Sequence, residues 1–326
     1  MPAYFETGFF TNGKPAWHGL GTVIQGQVTS TQEGIKLAGL DWQIYKLPAQ
    51  STWVDGTAVE APGSFNLYRS TDKAYLGTVG RQYEIVQNEE AFNWFDPFLH
   101  EGDVYLETAG SLKGGKVIWI LARLNDSTRE VVPGDPVEQR LLLSNTHSGE
   151  GSLTGAFVNT RVVCANTLAI AHNEALRSGN FLNLRHTKNI HFKLSEIQAK
   201  VNLARRNFED SVDLYQELAR HQMTTLQFRA SLEALFAKEL ATKDVEGEER
   251  TLDTYRPSQK ILRNFESTPD LQATGVRGTR WAAYNAVTQY FSHQSRSNSE
   301  DSRASSLWYG SSKEQIRKAQ DLLLTV

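Results

Sequence analysis

Arg161–Ser178, RVVCANTLAIAHNEALRS, decides how the middle of the chain is read. An apolar, β-branched segment, Leu153–Val163, precedes it, and a basic run follows it. On a helix, Asn166, Asn173 and Arg177 fall close to one line, with Ile170 between them. Leu168, Ala171 and Ala175 fall on another side that could pack on a sheet. The spacing predicts a polar helix over about Ala165–Arg177, ended by Gly179, docked after a series of strands. Arg161 would project from the end of the last strand.

Working outward, the segments upstream read as strands. Val104–Ser111 is followed by a Lys113-Gly114-Gly115 turn. Lys116–Leu124, KVIWILARL, is a near-continuous apolar run, as expected of a central strand covered on both faces. Asn125–Pro136 reads as a loop and Gln139–Ser144 as a further strand. Earlier still, Trp42–Leu47, Thr52–Val54 and Phe65–Arg69 have strand character, and Tyr75–Val86 reads as a hairpin with Gly80 near its turn. Short helices are predicted at Ser30–Leu40, capped by Ser30 or Thr31, and from a cap at Asn88 to about Leu99. Downstream the period becomes helical: Leu194–Ala219, Thr224 to Leu240, Ser258–Ser267, Gly278–His293, and Ser311–Leu324 with a Ser312 cap. The fold class is therefore α+β: an antiparallel sheet followed by a polar helix, with a largely helical C-terminal half. Residues 1–180 are expected to form the mainly β part and 181–326 the mainly helical part, with a Ser-rich loop at about 292–306.

Bulk properties exclude several classes. The chain of 326 residues carries 7 Trp, 11 Tyr and 15 Phe, too many large aromatics for a disordered protein. No run of about 18 apolar residues suggests a membrane span, and the N-terminus has no signal-peptide pattern, so a cytoplasmic protein is expected. A single cysteine, Cys164, rules out an internal disulfide framework. The net charge of −3 hides an asymmetry. Residues 1–150 carry 11 Lys and Arg against 18 Asp and Glu; residues 151–326 carry 23 against 19. Between 177 and 206 seven basic residues face one acid, Glu196. Such a patch can hold a polyanion whatever the total charge.

Catalytic chemistry finds little support. Cys164 and His172 lie eight residues apart, roughly 12 Å along one helix and too far for a nucleophile–base pair. The histidines follow no metal-binding spacing, and the Gly110–Gly115 and Gly275–Gly278 segments lack a phosphate-loop ending. No catalytic residue, metal or cofactor is predicted. Polyanion binding is the stronger reading. Arg161, Arg177, Arg185, Lys188, Lys193, Lys200, Arg205 and Arg206 would neutralise phosphates, Asn166 and Asn173 would position backbone or bases, and aromatics on the sheet could stack unpaired bases.

Four segments carry a family resemblance: PAWHGLGT at 15–22, YLGTVGRQYEIVQNEEAF at 75–92, RVVCANTLAIAH at 161–172 and GTRWAAYNAVTQYFSH at 278–293. Together they resemble the phage/plasmid-like protein family, classed as a domain of unknown function. The resemblance implies a mobile genetic element as origin and a bacterial host cell as location. Strands followed by a polar helix and basic residues are also similar, in architecture, to the Rad/RecT/Redβ/Erf-type single-strand annealing recombinases. That similarity implies ATP-independent binding and annealing of single-stranded DNA by a homo-oligomer, a ring or filament. The alternative is a non-enzymatic interaction protein that binds a host replication or defence factor.

Overall fold

The computed structural model describes residues 8–11, 22–24, 26, 28, 30–93, 96, 99, 104–161, 163, 166–168, 180–190, 198–243, 247–298, 302–303, 306–307 and 310–326. Its order is β1 (Gly8–Thr11), β2 (Thr22–Ile24), α1 (Thr31–Leu37), β3 (Ile44–Thr52), β4 (Ala58–Arg69), β5 (Tyr75–Gly80), α2 (Asn88–Phe92), β6 (Val104–Leu112), β7 (Val117–Val132), β8 (Asp135–Thr146), β9 (Leu153–Arg161), β10 (Asn166–Leu168) and β11 (Asn180–Leu184). The helical half follows: α3 (Gln198–Arg220), α4 (Thr225–Leu235), α5 (Ala237–Leu240), α6 (Arg256–Ser267), α7 (Arg280–Gln289) continued by a π turn at Tyr290–Gln294, and α8 (Ser311–Thr325). The α+β class holds, with helices gathered in the C-terminal half.

The larger sheet has the order β10-β9-β8-β7-β6-β1-β2, with β11 also on β9; the smaller is β3-β4-β5. β7 is central, as its apolar run predicts: Ile118, Trp119, Ile120, Leu121, Ala122 and Leu124 are all buried. β7 and β8 both run further than expected. The Asn125–Pro136 segment shrinks to a tight turn at Pro133-Gly134, where Gly134 takes φ +80°. Flanking β-branched and apolar residues (Val131, Val132, Val137) override the loop-like polar residues.

The segment read as a polar helix begins differently. Asn166, Thr167 and Leu168 pair antiparallel with Arg161, Thr160 and Asn159 of β9. β9 would otherwise leave this edge unpaired; β11 takes the edge at its start, Leu153–Ala156, and β10 takes it at its end. Backbone pairing outweighs the helical spacing there. The rest of that prediction, 169–179, lies outside the described residues. The Tyr75–Val86 hairpin is also displaced. Tyr75–Gly80 pairs backwards with β4, so the turn is at 70–74. Asn88 is not a cap; Gln87 precedes the helix and the Asn88 side chain is buried.

By its contacts the chain forms two compact units, each discontinuous in sequence. One comprises residues 1–126, 140–157 and 175–204; the other comprises 127–139, 158–174 and 205–326. The sequence division followed secondary-structure content, whereas β7, β8 and β9 each contribute residues to both units.

In the first unit, buried Asn88 donates to the carbonyls of Leu40 (2.8 Å) and Trp42 (3.3 Å). Its amide oxygen therefore accepts from His147 Nε2 at 2.9 Å. Burial, with the nearby His186, pushes the His147 pKa down to about 3, so the ring is a neutral Nε2–H donor. In the second unit, Asp135 accepts from Arg161 Nε (2.7 Å) and from Trp281 Nε1 (2.7 Å). Asn159 donates to Tyr215 at 3.1 Å, and Tyr215 packs against Trp281 and Tyr284. A buried polar seam thus ties strands to helices in an otherwise apolar core.

Candidate nucleic-acid interface

The smaller sheet presents a face that the sequence reading did not single out. Tyr45 of β3 pairs with Tyr68 of β4, and Tyr68 pairs with Tyr75 of β5. Three tyrosines therefore stand in one row across three strands, spanning about 10 Å at ordinary strand spacing. The next row on this face is Leu47, Asn66 and Thr78. Tyr45 is 52% exposed, Leu47 51% and Tyr75 49%. Tyr68 and Tyr75 pack edge to face, with ring centroids 6.0 Å apart. The Tyr75 hydroxyl lies 2.7 Å from Thr78 Oγ1, which donates to Asn66 Oδ1 at 2.7 Å. The ammonium group of Lys116 sits 5.8 Å from the Tyr75 ring centre.

Local devices hold this face outward. The pairing register shifts between Leu67 and Tyr68, so Leu76 is an extra residue in β5. That bulge puts the buried Leu76 on the inner side and returns Tyr75 to the outer one. Lys46, Leu67 and Gly77 form the inward row. A Cβ on Gly77 would stand 2.1 Å from the Ser148 carbonyl oxygen, so only glycine admits that close approach. Lys46 is fixed on the inner side: its ammonium donates to the carbonyls of Arg81 (3.0 Å) and Tyr83 (2.8 Å) and lies over the Phe65 ring.

Exposed cations flank the chain as it leaves β5. Arg81 is exposed immediately after the strand. The Glu84 amide donates to the His186 carbonyl at 3.1 Å, and the His186 ring stacks on Tyr83 with centroids 4.6 Å apart. This fixes the 185–188 loop, with Arg185 and Lys188 exposed, beside residues 83–84.

The sequence-predicted residues separate into groups. Arg185 and Lys188 are exposed, as a phosphate contact requires. Arg161 is not: it is 1% exposed and its guanidinium is held by Asp135, with Asp270 carboxylate and carbonyl oxygens at 3.5 and 3.2 Å. Its strand-end position pointed outward in the sequence reading, but the side chain turns to a buried carboxylate. Asn166 is Arg161's register partner on β10. Lys200, Arg205 and Arg206 are on α3. Asn173, Arg177 and Lys193, with Cys164 and His172, lie outside the described residues. Among the described residues, no cluster of His, Cys, Asp or Glu could hold a metal, and no helix is long and apolar enough to cross a membrane.

Fold and candidate site define a class: an α+β protein on a mainly antiparallel sheet, with a smaller sheet presenting an aromatic face. The family model described as "Domain of unknown function (DUF932)" matches residues 75–308, and the chain belongs to that family. No curated protein and no solved structure matches the chain.

Proposed function

We propose that the protein binds single-stranded DNA on the outer face of the β3-β4-β5 sheet. One observation carries this reading: the solvent-facing row Tyr45–Tyr68–Tyr75, with a lysine at one end. Unpaired bases stack on exposed aromatic rings whatever their sequence, at about 1–3 kcal/mol per base. Duplex DNA hides those base faces, so the surface suits single strands. Arg81, Arg185 and Lys188, exposed where the chain leaves β5 and on the loop held against it, would supply phosphate contacts. In keeping with the architectural similarity to single-strand annealing recombinases, the proposed role is ATP-independent binding and annealing in recombination by a homo-oligomer; in keeping with the family resemblance, its source is a phage or related mobile element and its place the host cytoplasm.

The test is anisotropy of a fluorescent single-stranded oligonucleotide at two salt concentrations. Wild-type protein should bind at low salt and weaken as salt rises. Tyr45→Ala, Tyr68→Ala and Tyr75→Ala combined should weaken binding by two orders of magnitude or more. Equal binding by the triple variant sinks the proposal.

A second reading rests on the β3–β4 turn, where Trp53 is 61% and Val54 97% exposed. Apolar side chains displayed this way suit contact with a protein, such as a host replication or defence factor. Trp53→Ser/Val54→Ser should then abolish capture of a stoichiometric partner from host lysate and leave oligonucleotide affinity unchanged.

A further inference from the structure

A second charged surface lies on α6, in the unit that contains residues 205–326. Its inner face buries Ser258, Ile261, Leu262, Asn264 and Phe265. On the outer face Arg256, Lys260 and Arg263 recur at i, i+4 and i+7, so the three cations lie within about 60° of one another around the axis. All three are exposed, and among the described residues none forms an ion pair. Two described acids adjoin the row in sequence. Asp253, just before the helix, is held by Arg229, whose Nη2 lies 2.8 Å from both carboxylate oxygens. Glu266 lies three residues beyond Arg263, about 60° round the helix, and forms no ion pair among the described residues.

A fourth exposed cation follows the π turn that α6 contacts. Lys260 Nζ lies 3.4 Å from the Gln294 carbonyl oxygen, which brings the end of the π turn beside the helix. Arg296, two residues on, is exposed. Along α6 the charges span about 10 Å, a length over which one strand carries two or three phosphates. A row of cations outside ion pairs, with no exposed aromatic on α6 itself, matches the backbone of a polyanion better than its bases.

We infer that the outer face of α6, with Arg256, Lys260, Arg263 and Arg296, is a phosphate-binding surface for nucleic-acid backbone, separate in chemistry from the stacking face of the small sheet. The inference rests on the nucleic-acid reading above, but it concerns phosphates alone and can fail independently.

The experiment uses the full chain and two fluorescent probes of equal length: a single-stranded oligonucleotide and its abasic counterpart, which keeps the phosphates and lacks the bases. The variants are Arg256→Gln/Lys260→Gln/Arg263→Gln and a charge-matched control, Lys36→Gln/Lys238→Gln/Lys243→Gln, all at exposed positions. Wild-type protein should bind the abasic probe, and its log affinity should fall linearly with log salt. The α6 variant should show a slope shallower by about 2, since each lost phosphate contact on a single strand removes about 0.7. The control should keep the wild-type slope. An unchanged slope in the α6 variant overturns the inference. Wild-type binding of the base-bearing probe alone also overturns it and leaves the stacking proposal standing. Loss in the α6 variant with full binding by the tyrosine variant supports it and removes the stacking proposal. Binding to phosphatidylserine vesicles and to neither probe overturns both.

Discussion

Asp135 shows what one residue can decide here. It opens β8, is 3% exposed, and joins the Arg161 guanidinium to the Trp281 indole. Replacing it with alanine would leave Arg161 buried without its principal carboxylate and Trp281 without its acceptor. Breaking a buried pair from one side costs about 3–5 kcal/mol. Urea unfolding of Asp135→Ala should therefore show a loss of that size, whereas Tyr75→Ala, on an exposed face, should stay within about 1 kcal/mol of wild type. A loss under 1 kcal/mol for Asp135→Ala would mean that the ion pair contributes little. Neither role was visible in the sequence. Asp135 sits in a Pro-Gly-Asp-Pro string that reads as a turn, and its partners lie 26 and 146 positions away. The sequence predicts that Arg161 projects from the end of its strand toward a phosphate; the chain instead supplies a carboxylate from a neighbouring strand.

At the scale of elements, the sequence was most informative where one signal dominated. The Lys116–Leu124 run identified the central strand because burial on both faces leaves no polar side. Ser30 caps α1, and Gly39 follows it with φ +63°. Thr224 caps α4 in a reciprocal capping box with Gln227. Thr224→Ala should cost about 1 kcal/mol by thermal unfolding, and an unchanged midpoint would show that the cap is redundant. Register and edges were less legible. Nothing local says that Tyr45, Tyr68 and Tyr75 share a row, because the bulge at Leu76 resets the alternation of β5. Nothing local says that Asn166–Leu168 extends the sheet, because an unpaired edge on β9 is a property of the fold. Gly77 gives the sharpest test at this scale. Gly77→Ala puts a methyl group into the Ser148 backbone and must displace either the loop or β5. Circular dichroism should show a lower midpoint and oligonucleotide binding should weaken with it, whereas Gly80→Ala, with open space around its Cβ, should change neither.

Across the whole molecule, the titratable core makes stability depend on pH unevenly. His147 belongs to the unit that contains residues 140–157, and burial holds its pKa at about 3, below the ordinary histidine value of 6.5. Because the folded pKa is depressed, the unfolded chain binds the extra proton first. The stabilisation from keeping this ring neutral is complete above pH 6.5 and is lost progressively as pH falls toward 3. At pH 5 the loss should be about 2 kcal/mol. The hydrogen bonds of the second unit's buried seam join Asp135, Arg161, Trp281, Asn159 and Tyr215, with no histidine in that set. Acidification should therefore loosen the first unit before the second. Hydrogen exchange read by mass spectrometry at pH 7 and pH 5, corrected for the intrinsic pH dependence of exchange, should show protection falling first in peptides around Asn88 and Leu141–His147. Peptides from α4 and α7 should hold. His147→Gln, which keeps a neutral donor toward Asn88, should flatten the acid limb even if it lowers stability at pH 7. Equal loss of protection in both units, or an unchanged acid limb in His147→Gln, would exclude this histidine as the source of acid lability.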